Sequence, residues 1–390
     1  MFKKLKDFLL QKPIALLFIY LLLAAIATLQ EYNAGLKKFV GSTLDFTYYN
    51  NYLIFKYSFF HLLEGADLYA WHLNEHWDLY KYSPTFAFLF GSLVWLPNGL
   101  GLMAWNSLNV LALFFGVQNL KLKVQERNII LLLCAVELFT TLQNAQSNAL
   151  IAGLIILAFA LIEKEKFFWA CLCIALTVYI KLFGVFAFAI CLLYRERWKM
   201  VGYSALAMVI LAALPLMVTS FDQLKNCYIS WWALLQKDYI PNHLSFVGVV
   251  KAWFGIRLQP NLVLLLGIIL FLITLIRAKF YDQFNFRLSF LAMILLWMIV
   301  FNHKVESPTF IIALAGIGVW FVSTGIESKW KIALALFAWV FTSLSPTDLF
   351  PNFVQENFFE PWSVKAIPCI VIYFFVFYEL TFRPNQLTNR

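Results

Sequence analysis

The stretch FRLSFLAMILLWMIVFNHKVESPTFIIALAGIGVWFVS, residues 286–323, holds two apolar runs of 16 residues joined by a short polar link. Neither run alternates apolar with polar residues as a half-buried strand does. At about 1.5 Å per residue, each is a helix nearly long enough to cross a hydrocarbon core about 30 Å thick. The link, Phe301 to Pro308, gathers His303, Lys304 and Glu306 within four positions. The stretch therefore reads as two membrane helices with an ionisable junction between them.

Comparable runs recur on both sides of it. They lie near 12–30, 83–118, 127–142, 146–162, 167–180, 182–194, 199–218 and 261–277, and then near 330–344 and 364–381. The whole chain is 62% hydrophobic and only 13% charged, with a mean hydropathy of +0.76. A soluble domain covers itself with roughly a quarter charged residues, so that class is excluded. A membrane barrel needs alternating ten-residue strands, and none are visible. The expected fold class is all-α: a polytopic transmembrane helical protein forming one integral membrane domain over 1–390. Its long non-cytoplasmic loops fall near 31–82, 219–260 and 345–362. The segment 83–118, broken at Pro97-Asn98-Gly99, is counted as one bent or partly re-entrant crossing, giving about 12 spans. The N-terminus has a basic start and no small-residue cleavage site, and reads as an uncleaved first span.

The net charge of +9 sits in short clusters between apolar runs, such as Lys121, Lys123 and Arg127, or Arg195, Arg197 and Lys199. With the N-terminus inside, alternation puts 19 of the 30 Lys and Arg residues in short pieces on one side and 11 in the longer opposite loops. That bias predicts N-in, C-in. A nucleic-acid partner would call for a basic stripe on a soluble domain, and none is present. The six cysteines lie mostly within apolar runs and read as packing residues, without a disulfide or zinc framework.

The unusual polar residues then collect at one face. Asp45 stands in Leu44-Asp45-Phe46-Thr47-Tyr48-Tyr49, an aromatic stretch suited to the membrane surface. Its carboxylate reads either as a general base towards a bound hydroxyl or as a solvated loop acid. Gly65-Ala66-Asp67-Leu68-Tyr69 and Tyr80-Lys81-Tyr82-Ser83-Pro84 follow; the aromatics suit interface anchors and Lys81 suits a phosphate at headgroup depth. His72-Leu73-Asn74-Glu75-His76 spells H-x-x-E-H. Zinc would need both histidines on one helical face and a further acid, whereas this stretch reads as a surface loop between two tryptophans, so no metal is expected. The amides Gln143 to Asn148 cap a helix junction or meet sugar hydroxyls. Lys181, between two short apolar runs, either snorkels or serves a site. His303 and Lys304 suit a phosphate with Glu306 orienting one of them, or the three form a self-satisfied cap. Asn242 to Gly248 is a weaker cluster of the same kind. Neither a phosphate-binding GxxxxGK[ST] loop nor a Rossmann fingerprint occurs, and Asp-x-Asp is absent, so a donor supplied within the membrane fits better than a soluble nucleotide.

In order along the chain, these elements resemble glycosyltransferase family 87, a GT-C-type group that uses polyprenyl-phosphate-mannose. The resemblance runs through Asp45 with its tyrosines, Gly65-x-Asp67-x-Tyr69, Tyr80-x-Tyr82-x-Pro84 and Leu96-Pro97. It continues through Ala145-Gln146-Ser147-Asn148, Lys181, Asn242 to Gly248 and His303. Two departures stand out: the family's Gly-Gln is Ala145-Gln146 here, and its Lys-x-x-Pro is Lys181-Leu182-Phe183-Gly184.

The resemblance implies a GT-C-like fold and an inverting transfer at the outer face of a bacterial cytoplasmic membrane. It implies a polyprenyl-phosphate-sugar donor and a glycolipid or glycan acceptor. Asp45 would be the catalytic base. His303, Lys304, Lys181 and Lys81 would hold the donor phosphate, and Tyr48, Tyr49, Asp67, Tyr69, Gln146, Asn148, Asn242 and Glu306 would hold sugars. Neither metal nor cofactor is required. The alternative function is a lipid-linked glycan transporter or polymerase; a transporter more naturally shows inverted repeats and mid-bilayer charges.

Overall fold

The computed structural model describes residues 8–237, 244–323 and 328–387. The apolar runs form helices in the expected order. They are α1 Pro13–Asn33, α2 Asn50–Glu64, α3 Pro84–Phe90, α4 Asn98–Gln118, α5 Val124–Gln143, α6 Asn148–Ile162 and α7 Phe167–Ile180. After the 3-10 segment Leu182–Leu193 come α8 Arg197–Ala213, α9 Phe221–Lys237, α10 Phe246–Phe254, α11 Pro260–Leu275 and α12 Phe284–Val300. The remaining long helices are α13 Phe310–Ser323, α14 Lys329–Ala338 and α15 Ile367–Phe382. Among the described residues four helical stretches, Pro13–Asn33, Asn98–Gln118, Arg197–Met217 and Val364–Phe382, are long and apolar enough to cross a membrane singly.

α12 and α13 form the centre. Every residue of α13 is buried, as are nearly all of α12. A helix apolar on all sides has no solvent face to present, so these two can sit only within the bundle. By contrast α1, α8 and α11 leave large side chains such as Phe18, Val209 and Leu265 exposed, the surface expected against lipid tails. α4 and α6 pack closely, because Gly116 lies against the backbone of Gly153, and Gly153 against that of Ala112. Small residues let two backbones approach in this way.

Two sets of junctions separate to the two ends of the bundle. At one end Arg287 grips Glu163 through Nε and Nη2, at 2.7 and 2.9 Å, and Lys331 meets Glu379 at 3.1 Å. At the other end meet the loop after α1, the α5–α6 turn, Lys181 and the α12–α13 link. The segment 83–118 has its expected break. Ser83 caps α3 by accepting from Phe86 N–H, and α4 begins directly after Pro97. α3 has only seven residues, too few to cross, and packs at the site end against α2 and α7.

The long loops carry more structure than their polarity suggests. The first contains the antiparallel pair β1 (Leu36–Lys38) and β2 (Asp45–Thr47), with Lys38 opposite Asp45, and then α2. The second contains α9 and α10. α9 buries Leu224, Cys227 and Trp231 and exposes Phe221, Ile229 and Trp232, an amphipathic pattern suited to the membrane surface.

Candidate active site

A cavity of about 660 Å³ opens where the site-end junctions converge. One wall is polar: Asp78, Lys81, Asn144, Gln146, Lys181, Asn302, His303, Lys304 and Glu306. The rest of the lining is apolar, including Leu182, Phe183, Phe186, Leu264 and Trp297. A cavity of about 690 Å³ at the opposite end is lined by Lys121, Lys123, Glu126 and Asp282 among others, with only a few apolar side chains.

Gln146 is the hub of the polar wall. Its Oε1 accepts from Tyr82 Oη at 3.2 Å and from Lys181 Nζ at 3.2 Å, while its Nε2 donates to Glu306 Oε2 at 3.3 Å. The turn that presents it passes through Ala145, whose φ is +47° and whose carbonyl accepts from Trp105 Nε1 at 2.9 Å. A left-handed residue here explains why glycine suits the position, and Ala145 bears the Cβ strain instead.

Lys181 sits in extended backbone between α7 and the 3-10 segment, outside both. Nζ also donates to Asn148 Oδ1 at 2.9 Å and stands 5.8 Å from the Tyr82 ring centre. Burial lowers its pKa to about 8; the Glu306 charge opposes that shift and the Lys81 charge adds to it. Gly184 replaces the proline of the family pattern and lies directly against Thr177, leaving no space for a Cβ.

Asp78, which no sequence motif singled out, reaches the cavity from a left-handed turn at φ +76°. Its Oδ1 accepts from Leu79 N–H at 2.7 Å, and Oδ2 pairs with Lys81 at 3.2 Å. α9 forms the rim: Trp231 Nε1 donates to the Lys81 carbonyl at 3.1 Å, and Lys304 Nζ to the Leu235 carbonyl at 2.7 Å.

Of the site residues expected from sequence, Lys81, Gln146, Lys181, His303, Lys304 and Glu306 line the cavity, and Asn148 stands behind Lys181. Asp45 is exposed on β2 and is not among the lining residues; its neighbour Phe46 packs on Trp77, with ring centres 5.9 Å apart. Tyr48 faces Lys37 at 4.5 Å and Tyr49 stacks on Tyr32. Asp67 caps its own turn by accepting from Tyr69 N–H at 3.0 Å, and Tyr69 Oη donates to the Tyr82 carbonyl at 3.1 Å. Both therefore shape the loop beneath the wall. Asn242 lies outside the described residues. Besides Asp78, the cavity takes in Asn51, two residues past the quoted aromatic stretch, and Tyr82, Asn144 and Asn302, which stand inside quoted motifs without being singled out.

The fold is similar to that in the crystal structure of ArnT from Cupriavidus metallidurans in the apo state, with a TM-score of 0.50 at 12% identity, covering 95% of this chain and 77% of that one. No curated protein matches the sequence. The model of glycosyltransferase family 87 matches residues 80–302, more than half the chain, and takes in Lys81, Asn144, Gln146, Lys181 and Asn302 of the cavity's polar wall. With its buried apolar helices and GT-C-like fold, the chain is a multi-pass membrane glycosyltransferase and belongs to glycosyltransferase family 87.

Proposed function

We propose that the protein transfers a hexose, mannose by the family resemblance, from a polyprenyl phosphate to a glycolipid or glycan at the non-cytoplasmic face of a bacterial inner membrane. The observation that carries this reading is the cavity's mixed lining. Lys81, Lys181, His303 and Lys304 supply positive charge and N–H donors in the same cavity as the apolar Leu182, Phe186, Leu264 and Trp297. A donor with an anionic phosphate between a sugar and an isoprenoid needs both kinds of lining. Gln146, Asn144 and Asn302 offer amides to sugar hydroxyls.

In the transfer, the acceptor hydroxyl oxygen attacks the anomeric carbon from the face opposite the phosphate. The carbon–oxygen bond to phosphate breaks, configuration inverts, and polyprenyl phosphate leaves without an acid because it is already a stable anion. Fixed cations around that phosphate stabilise the charge as it develops, an effect commonly worth several kcal/mol. The hydroxyl proton goes to Asp45. Its hairpin rests on Trp77, next to the polar wall, and its exposure suits an acceptor arriving from water. Asp78 is the second candidate base because its side chain lines the cavity.

The test is transfer of radiolabelled mannose from polyprenyl-phosphate-mannose to a membrane lipid extract by protein in nanodiscs, comparing wild type with Asp45→Asn and Asp78→Asn. Abolished turnover in folded Asp45→Asn, with transfer kept in Asp78→Asn, supports the assignment; the reverse pattern moves the base to Asp78. Absence of transfer with every lipid-linked sugar offered would sink the polyprenyl-phosphate-donor reading.

A further inference from the structure

Behind the cavity wall, the last turn of α2 carries His61, which is buried. His72 and Glu75 come to it from the following loop. His61 Nε2 and Glu75 Oε2 pair at 2.8 Å. The two imidazoles stack with ring centres 3.7 Å apart and planes 22° from parallel. His72 Nε2 bonds the Asp67 carbonyl at 2.8 Å, which occupies one ring nitrogen and turns Nδ1 to the other side. A backbone carbonyl holding the far nitrogen is the usual support of a metal-ligating histidine.

One donor atom from each of the three residues lies within 4.8 Å of the others. Zinc–nitrogen distances of about 2.0–2.1 Å place tetrahedral donors roughly 3.4 Å apart, so modest side-chain rotations gather them. Two imidazoles and a carboxylate are a borderline donor set that suits Zn²⁺ and its neighbours better than Ca²⁺ or Mg²⁺. His76 is buried nearby, its ring centre 6.1 Å from that of His72, with Nδ1 3.2 Å from the Asp78 carbonyl; it or a water supplies the fourth position.

We propose that His61, His72 and Glu75 bind one divalent transition-metal ion, zinc by preference, which rivets α2 to the loop leading into Asp78. The H-x-x-E-H string misleads about its own ligands. Residues 72–76 form turns, so His72 and His76 do not share a helical face, and His61 from α2 takes the second histidine position. The same loop is already held at its far end, where the Asn50 amide donates to the Trp77 carbonyl at 2.8 Å and accepts from Trp77 N–H at 2.9 Å. A metal at His61 fixes the other end, and Asn51 and Asp78 then face the cavity from a braced support. The ion is structural and takes no part in the transfer.

The experiment uses full-length protein with a histidine-free affinity tag, stripped with chelator and reloaded with Zn²⁺ or Co²⁺. Metal content by mass spectrometry is expected to reach one equivalent per chain, Co²⁺ to give visible d–d absorption, and Zn²⁺ to raise the unfolding temperature. His61→Gln and Glu75→Gln are expected to weaken binding at least tenfold and remove that thermal shift, while His303→Gln keeps both. Should His61→Gln fail to fold, the half-buried Glu75→Gln carries the comparison. Wild-type protein that takes up no metal above background, or undiminished binding in the folded ligand variants, would overturn the proposal. Neither result bears on the transferase reading, which is assayed separately.

Discussion

Gln146 and Glu306, separated by 160 positions, meet at 3.3 Å through an amide hydrogen and a carboxylate oxygen. This contact ties the α5–α6 turn to the α12–α13 link and sets the separation of the cations on either side. Replacing Gln146 with Ala removes that donor together with the acceptor for Lys181 and Tyr82. Hydrogen bonds to charged groups contribute about 1.5–3 kcal/mol, so Gln146→Ala is expected to lower kcat/KM for the donor by roughly 10- to 100-fold. Steady-state transfer assays read it, and the unfolding temperature is expected to fall as well because buried partners are stranded. Activity within about twofold of wild type would show that the contact does not organise the site.

Lys181 is expected to give the site its alkaline limit. The groups facing it are Glu306, Lys81, the Gln146 and Asn148 amides and the Tyr82 ring, with His303 and Lys304 also lining the cavity. Its pKa is lowered to about 8, so it is cationic below that pH and loses its charge above it. For free enzyme, kcat/KM for the anionic donor is expected to fall above about pH 8, while bound phosphate stabilises the cation and moves the limb of kcat higher. Lys181→Arg keeps its charge in that range and shifts the limb upward; Lys181→Met lowers activity and removes the limb. An unchanged limb in Lys181→Met would assign it to another group.

The elements legible in the sequence are those whose signal is local. Long apolar runs dictate helices, and the side of each junction follows from alternation, so Lys81, Gln146, Lys181 and His303 were placed at one end from sequence alone. α2 was hidden in a loop because its buried residues, among them Asn50, Tyr52, Ile54, Ser58 and His61, mix polar and apolar types and leave no clean stripe. Asp78 was invisible for another reason: a left-handed turn aims it into the cavity, and nothing in Trp77-Asp78-Leu79 announces that turn. The ArnT-like bundle brings distant junctions together, and no single run of residues encodes that meeting.

The buried pair Lys365 and Glu137 has its own expected signature. Lys365 Nζ lies 2.8 Å from Glu137 Oε1 and donates to Ser307 Oγ at 2.8 Å, directly beside Glu306. Both charged side chains are almost fully buried. Removing one partner strands the other, at a cost of about 3–5 kcal/mol, whereas an apolar pair of similar volume is tolerated far better. Lys365→Met is therefore expected to lower the unfolding temperature in detergent sharply, and Lys365→Met with Glu137→Leu to recover most of the loss. A double variant no more stable than the single one would mean that Lys365 acts through Ser307 instead.

Gly116 and Gly153 set the α4–α6 separation, and their substitution is expected to be the most damaging in the bundle. A Cβ at Gly116 would fall on the Gly153 backbone, and one at Gly153 on the backbone of Ala112. Backbone cannot turn aside as a side chain can, so the helices must part. Overpacking commonly costs about 1–3 kcal/mol, and a separation that runs along both helices moves the cost to the upper end or beyond. Gly153→Leu is expected to abolish most of the monodisperse yield on size-exclusion chromatography. Gly202 supplies the control: it lies on exposed α8, and a Cβ there meets nothing within 4 Å. A leucine at Gly202 also gains roughly the helix propensity that glycine lacks, up to about 1 kcal/mol, so Gly202→Leu should match or exceed wild-type stability. Equal damage at both positions would trace the loss to insertion or expression and not to the close crossing of α4 and α6.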